Sequence, residues 1–272
     1  LNPSDIEKSP ASFRDPSGFI FLRNKNILRA VSYSYKDHYD YFISSGLYNR
    51  LTADNLLIKH EEIDHIESDP PDIYKVLQPT QIKFISYPYE WSFSQLKDAA
   101  LTTLRIQRIC LEYNMILKDA SAFNIQFQDG RPVFIDTLSF EKYIVGKPWV
   151  AYRQFCMHFL APLLLMKYND LRMNRLLSLF IDGIPLDITR NLLPQKSFFR
   201  LSNLSHIYLH SLSEKHSTFH KNNRAIRITK NGLFGLIDNL EKSILGLKLK
   251  IKNSTWGDYY IDNSYSQIEL EK

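Results

Sequence analysis

Cysteine, glycine and long apolar runs are what this chain has little of. Its 272 residues include two cysteines, Cys110 and Cys156, each set in an apolar helical pattern. That excludes a disulfide-stapled scaffold and predicts two buried free thiols, as suits a reducing cytoplasm. The nine glycines are scattered, and no glycine-rich loop follows a strand; Pro16-Ser17-Gly18 offers one glycine. The longest apolar run, Phe155 to Met166, is interrupted by His158 and is too short to span a bilayer. A cytoplasmic protein without a membrane span is expected. His206, His210, His216 and His220 form two i, i+4 pairs, but no Glu follows His206 to make a zinc-peptidase motif, so a satisfied or solvent-facing role is expected. Ser121 has no adjacent histidine to activate it as a nucleophile, so acyl transfer is not expected.

What is present is ample for a core. Apolar residues make up 44% and aromatics 13%, the composition of a folded globular protein. Charge is uneven: Arg190 to Trp256 holds twelve Lys/Arg against three Asp/Glu. No nucleic-acid motif accompanies these charges, so a solvated basic face is expected rather than nucleic-acid binding. The chain begins at Leu1 and stops within a helical pattern at Ile268-Glu269-Leu270-Glu271-Lys272, the reading expected of a piece of a longer protein.

Strand patterns occupy Gly18 to Leu22 and Ile27 to Val31, joined by an Arg23-Asn24-Lys25-Asn26 turn, then Leu56 to Lys59, Tyr74 to Leu77 and Ile82 to Tyr87. An aromatic-rich helix is expected over Lys36 to Leu51. From Ser94 onward the patterns are helical: 94–114, 149–168, 170–181, 197–215 and 232–246. Leu96, Ala100, Leu104 and Leu111 share a face of the first, and Asn114 is placed to end it in a left-handed conformation. Asp182-Gly183-Ile184-Pro185 reads as a helix end and turn. The division is therefore 1–92 as a β-rich lobe, 93–255 as a helical lobe and 256–272 as a linker.

One stretch carries chemistry. Leu117-Lys118-Asp119-Ala120-Ser121-Ala122-Phe123-Asn124 leads into Ile125-Gln126-Phe127, an Asp129-Gly130 hairpin signal, and Val133-Phe134-Ile135-Asp136. An Asp, an Asn five residues on and an Asp closing an apolar strand is the set that phosphoryl transfer on a kinase-type scaffold needs. One carboxylate takes the acceptor's proton, while an amide oxygen and a second carboxylate hold Mg²⁺. The fold class this implies is α+β, a two-lobe protein-kinase-like fold. Between the lobes, Ser86-Tyr87-Pro88-Tyr89-Glu90-Trp91 is either an adenine-contacting hinge carrying Tyr87 and Tyr89 or an ordinary aromatic-packed connection.

Several motifs carry a family resemblance: Tyr87-Pro88-Tyr89-Glu90-Trp91-Ser92, Leu117-Lys118-Asp119-Ala120-Ser121, Phe134 to Glu141, and Pro148-Trp149-Val150-Ala151-Tyr152-Arg153-Gln154-Phe155. With them most of residues 11–265 resembles the N-terminal region of bacterial nodulation-protein-type methyltransferases. The resemblance implies a fused S-adenosylmethionine-dependent methyltransferase domain, with Trp256-Gly257-Asp258-Tyr259-Tyr260 leading towards it; no methyl-donor loop lies in the chain itself. More distantly, the chain resembles the aminoglycoside and choline phosphotransferase superfamily. That resemblance makes Asp119 the catalytic base and Asn124 and Asp136 the Mg²⁺ ligands. ATP becomes the donor, and a sugar or glycan precursor the acceptor. Lys118 departs from the superfamily's His-Arg or His-Gly, and Thr137-Leu138 from Phe-Gly. A strand lysine for the phosphates is missing, which leaves Arg29 as a substitute cation, paired with Asp37, Asp40 or Glu61, and Gly18 as the one glycine at the phosphates. Loss of these parts fits either a divergent enzyme or a silent module beside the methyltransferase.

Overall fold

The computed structural model describes residues 6–8, 15–64, 72–194, 206–207 and 227–249. The fold is mixed α and β. A five-stranded antiparallel sheet comes first, built from β1 (Ile6–Lys8), β2 (Gly18–Arg23), β3 (Asn26–Ser32), β4 (His60–Ile63) and β5 (Ile73–Pro79), in the order β1-β2-β3-β5-β4. β2 and β3 close on a two-residue turn in which Asn24 and Lys25 take φ of 52° and 65°. Positive φ at both central positions matches the twist of the flanking strands, as the turn's sequence suggested.

The expected helix from 36 to 51 is two helices, α1 (Lys36–Ser44) and α2 (Leu47–Ala53). Gly46, at φ 84°, breaks them. The strand pattern at Leu56 to Lys59 yields only a parallel bridge between Leu57 and Phe134. Its apolar side chains are spent in the core, and antiparallel pairing starts three residues later at His60. No strand forms over Ile82 to Tyr87: Phe84 and Ile85 are exposed, and the Ser86 backbone is taken by a side chain.

The second part is organised around α3 (Phe93–Glu112). Ser92 and Gln95 cap it reciprocally, each side chain accepting from the other's backbone N–H at 3.3 and 2.9 Å. Asn114 follows its end at φ 56°, as expected from the sequence. Leu96, Ala99, Ala100, Leu104, Ile106, Cys110 and Leu111 are buried, and α3 packs against α2 and against two later helices, Ala161–Tyr168 and Lys230–Leu245. β6 (Met115–Leu117) pairs with β9 (Phe140–Lys142), and β7 (Ile125–Gln128) with β8 (Arg131–Phe134) across a turn with Asp129 and Gly130 at φ 50° and 75°.

Next come α4 (Tyr152–Phe155), a π-helical turn over Cys156–Leu160, α5 (Ala161–Tyr168), α6 (Leu176–Leu179), α7 (Leu186–Leu192) and α8 (Lys230–Leu245). The expected helix at 149–168 thus starts at Tyr152 and carries one wide turn. Gly183 turns the chain at φ 95°, as Asp182-Gly183-Ile184-Pro185 suggested. The α8 end is held by Lys97, whose Nζ donates to the Leu245 and Leu247 carbonyls at 3.0 and 2.9 Å. Cys110 and Cys156 are buried free thiols. Among the described residues no helix is long and apolar enough to cross a membrane. The pattern at 197–215 apart from residues 206–207, most of the basic segment and the 256–272 linker lie outside the described residues.

Candidate functional site

The loop after β6 is held from three sides. Gln107 of α3 accepts the Leu117 N–H at 2.8 Å, Trp149 Nε1 donates to the Leu117 carbonyl at 2.9 Å, and Lys118 N–H donates to the Ser139 carbonyl at 2.8 Å. Asp119 therefore leaves a fixed strand end. Its Oδ1 accepts the Ser121 N–H at 2.8 Å, while Gln154 Oε1 accepts the Ala120 N–H at 2.7 Å and the Gln154 amide lies near the Asp119 carboxylate, favouring its charge. Gln154 is a positioning residue that sequence reasoning missed as such, though it stood in the Pro148-to-Phe155 motif.

Asn124 follows a short 3₁₀ turn capped by Ser121, and its carbonyl accepts the Ile135 N–H at 2.8 Å, joining it to the residue before Asp136. The Asn124 amide lies near enough to Asp119 to favour the carboxylate's charged form, yet its buried Nδ2 completes no hydrogen bond. Asp136 bonds Arg29 Nη2 through Oδ1 at 2.6 Å and accepts the Ser139 hydroxyl and the Leu138 N–H. The structure thus brings Asp119, Asn124 and Asp136 together, with Arg29 of β3 reaching across from the sheet.

Burial raises the Asp119 carboxyl above its ordinary value, and the nearby Asp136 charge adds to this, against the Ser121 N–H and the neighbouring Gln154 and Asn124 amides, which favour its charge. A folded-state value above the unfolded one means stability is lost progressively as the pH rises from the unfolded pKa to the folded one, with the full cost above the folded pKa. Below the unfolded value both states are protonated and nothing is lost. Asp119→Asn is therefore expected to raise the thermal midpoint at pH 7–8, with the gain shrinking as pH falls towards 4. Melting curves of both proteins across that range check it, and a lower midpoint for the variant at pH 7 would contradict the assigned strain.

Arg29 pairs with Asp136 and, at 3.9 Å, with Asp15, not with Asp37, Asp40 or Glu61. Asp40 instead pairs with Lys36 and Tyr74. Lys118 Nζ contacts Asp15 Oδ1 at 3.2 Å and the Ser17 hydroxyl, and lies 5.1 Å from the centre of the Tyr35 ring. Gly18 is placed against protein, not in open space: a Cβ there would lie 2.0 Å from the Ala30 carbonyl oxygen and 2.6 Å from Leu138 Cδ1. Tyr87 and Tyr89 stack with centroids 5.4 Å apart. Around them, Ser86 N–H and C=O both bond Gln126, Tyr87 N–H bonds Glu90, and Asn174 Nδ2 donates to the Tyr89 carbonyl.

The Asp136 carboxylate and the Asn124 amide oxygen are hard oxygen donors, which fit Mg²⁺ rather than zinc. The mutual repulsion of Asp119 and Asp136 is what such a cation would relieve, while the unsatisfied Asn124 Nδ2 is a donor that needs an acceptor. Among the described residues no three His, Cys, Asp or Glu side chains cluster as a metal site. His206 bonds Tyr152 OH at 2.5 Å and Asn239 Oδ1 at 2.7 Å, so both its nitrogens are engaged, the satisfied role expected of it. His210, His216 and His220 lie outside the described residues. Two cavities, of about 440 and 500 Å³, share Lys59 and Thr80 in their walls and are not lined by Asp119, Asn124 or Asp136.

Fold and site together define a mixed α/β protein with a paired-carboxylate centre, facing a cation supplied by an antiparallel sheet. No family model matches the chain. It is similar to the nodulation protein NoeA of Rhizobium meliloti (strain 1021), 32% identical over 271 residues, covering 95% of this chain and 56% of that protein. The chain thus spans about half the length of the curated relative it matches.

Proposed function

We propose that the chain is a two-lobe, protein-kinase-like phosphotransferase that moves the γ-phosphoryl group of Mg-ATP to a hydroxyl on a sugar or glycan precursor. The observation that carries this is the convergence of Asp119, Asn124 and Asp136 beneath Arg29. In this reading the acceptor oxygen forms a bond to phosphorus as the bond to the β-phosphate oxygen breaks, and the hydroxyl proton goes to Asp119. Burial and the neighbouring Asp136 raise Asp119's affinity for that proton. Mg²⁺, when bound, supplies positive charge to the phosphate oxygens through Asn124 and Asp136. Arg29 and Lys118 add fixed cations where negative charge spreads in transfer. Gln154 keeps Asp119 oriented.

A second reading has specific support. The backbone groups at Ser86, Tyr87 and Tyr89 that an adenine ring would use are already bonded within the protein, and Arg29 neutralises Asp136 directly. These features favour a silent kinase-like module that positions a fused methyltransferase, for which the unmatched length of the relative leaves room. S-adenosylmethionine would then bind only that domain.

Thermal unfolding with and without Mg-ATP separates the two. Ligand at a hundred times its dissociation constant stabilises by about 2.7 kcal/mol, which raises the midpoint by roughly 5–10 °C for a domain of this size. The increment is expected to need Mg²⁺ and to vanish in Asp136→Asn. Because that variant also loses the Arg29 pair, the ligand-induced increment is read, not the absolute midpoint. A flat response at millimolar nucleotide rules out the phosphotransferase reading and leaves the silent module.

A further inference from the structure

We infer that Arg29, Lys118 and Ser17 form a binding site for a phosphoryl chain and that Asp15 is a built-in competitor for it, so that an incoming phosphate displaces the Asp15 carboxylate. The inference rests on the phosphotransferase reading for its ligand class. Asp15 stands just before β2, where the chain enters the sheet. Its carboxylate lies between two cations from different parts of the molecule, with Oδ1 at 3.2 Å from Lys118 Nζ and Oδ2 at 3.9 Å from Arg29 Nη2. The Ser17 N–H donates to the same Oδ1 at 2.9 Å, and the Ser17 hydroxyl contacts Lys118 Nζ. An ammonium, a guanidinium and a backbone N–H converging on one carboxylate make the set of donors that a phosphate oxygen takes.

Two features point to a displaceable occupant rather than a permanent ion-pair core. The buried Arg29 Nε has no hydrogen-bond partner, so the guanidinium retains donor capacity that its two carboxylates leave unused. Asp15 retains 31% exposure of its side chain, against 17% for Arg29 and 18% for Lys118. The anion is therefore the solvent-facing member of the cluster and the cations are its floor. Asp136, bound to Arg29 on the other side, keeps the guanidinium in place when Asp15 leaves. Lys118 is thus assigned to the phosphates, and it sits next to Asp119, which aligns the anion site with the acceptor's proton.

The test measures binding of inorganic tripolyphosphate and, separately, Mg-ATP to the wild-type chain, Asp15→Asn, Asp15→Ala and Lys118→Met by calorimetry, with melting curves to establish that each variant is folded. Both Asp15 variants are expected to bind tripolyphosphate about tenfold or more tightly than the wild type, since a like charge leaves the site. Lys118→Met is expected to bind it at least tenfold more weakly. Unchanged or weaker tripolyphosphate binding in both folded Asp15 variants overturns the competitor role, and if Mg-ATP still binds, the phosphotransferase reading survives that loss. Tighter tripolyphosphate binding with no gain from adenosine supports the anion site while removing the nucleotide reading. Absence of binding by either probe to every variant overturns both.

Discussion

Asp119→Asn is expected to lower phosphoryl transfer by about 10²–10⁴-fold, while the dissociation constant for Mg-ATP stays within a few-fold of wild type. The substitution keeps an oxygen for the Ser121 N–H, which bonds Asp119 Oδ1 at 2.8 Å, so the loop after β6 retains its anchor. Gln107, Trp149 and Ser139 hold the preceding residues independently of the carboxylate. What disappears is the group that accepts the acceptor's proton. ADP release from Mg-ATP, followed with a panel of hexoses and with water as acceptors, reads the loss. Turnover equal to wild type would remove Asp119 from the chemistry. The same change is expected to raise the melting point at neutral pH, because burial and the Asp136 charge disfavour the carboxylate in the folded state. A variant that is more stable and far less active distinguishes a functional carboxylate from a structural one.

Gly18→Ala is expected to destabilise the fold by about 3 kcal/mol, lowering the midpoint by roughly 6–12 °C. The added methyl would sit 2.0 Å from the Ala30 carbonyl oxygen, a backbone atom of the neighbouring strand that cannot swing away, and 2.6 Å from Leu138 Cδ1. Gly18 faces Val31 in the β2–β3 register, and Leu138 packs with Val31, Tyr35, Tyr39 and Leu77 under the sheet. Relieving the clash means separating β2 from β3 or shifting Leu138, two residues after Asp136. The sheet that carries Arg29 and the segment that carries Asp136 are registered through this contact. A midpoint within about one degree of wild type would mean that the sheet accommodates the methyl and that Gly18 is free for another role.

Local elements were legible where one residue type dictates one backbone geometry. Asn24-Lys25 and Asp129-Gly130 mark turns that need positive φ at two successive positions, and both form. Asn114 ends α3 as expected, because an asparagine tolerates the left-handed region, whereas the cap at Ser92 lies two residues before the expected start at Ser94. Where pattern alone was the guide, tertiary context prevailed. The Ile82 to Tyr87 alternation makes no strand because Gln126 binds both polar groups of the Ser86 backbone. The apolar run at Leu56 to Ile58 is drawn into the core beside Phe134 and makes a single bridge instead of a strand.

The order Asp119, Asn124, Asp136, with a hairpin between the last two, is a property of the sequence by itself, since the chain needs only a strand end, a turn and a return strand to present them. Their convergence owes most to β7 and β8, which short-range turn chemistry already dictates. The partners of those residues were decided by the tertiary structure alone. Asp15 meets Lys118 from 103 positions away, and Gln154 reaches Ala120 across 34. Charge pairing carries no period along a chain: any of several carboxylates could have answered Arg29, and only the packing of the sheet onto the loop after β8 selects Asp136.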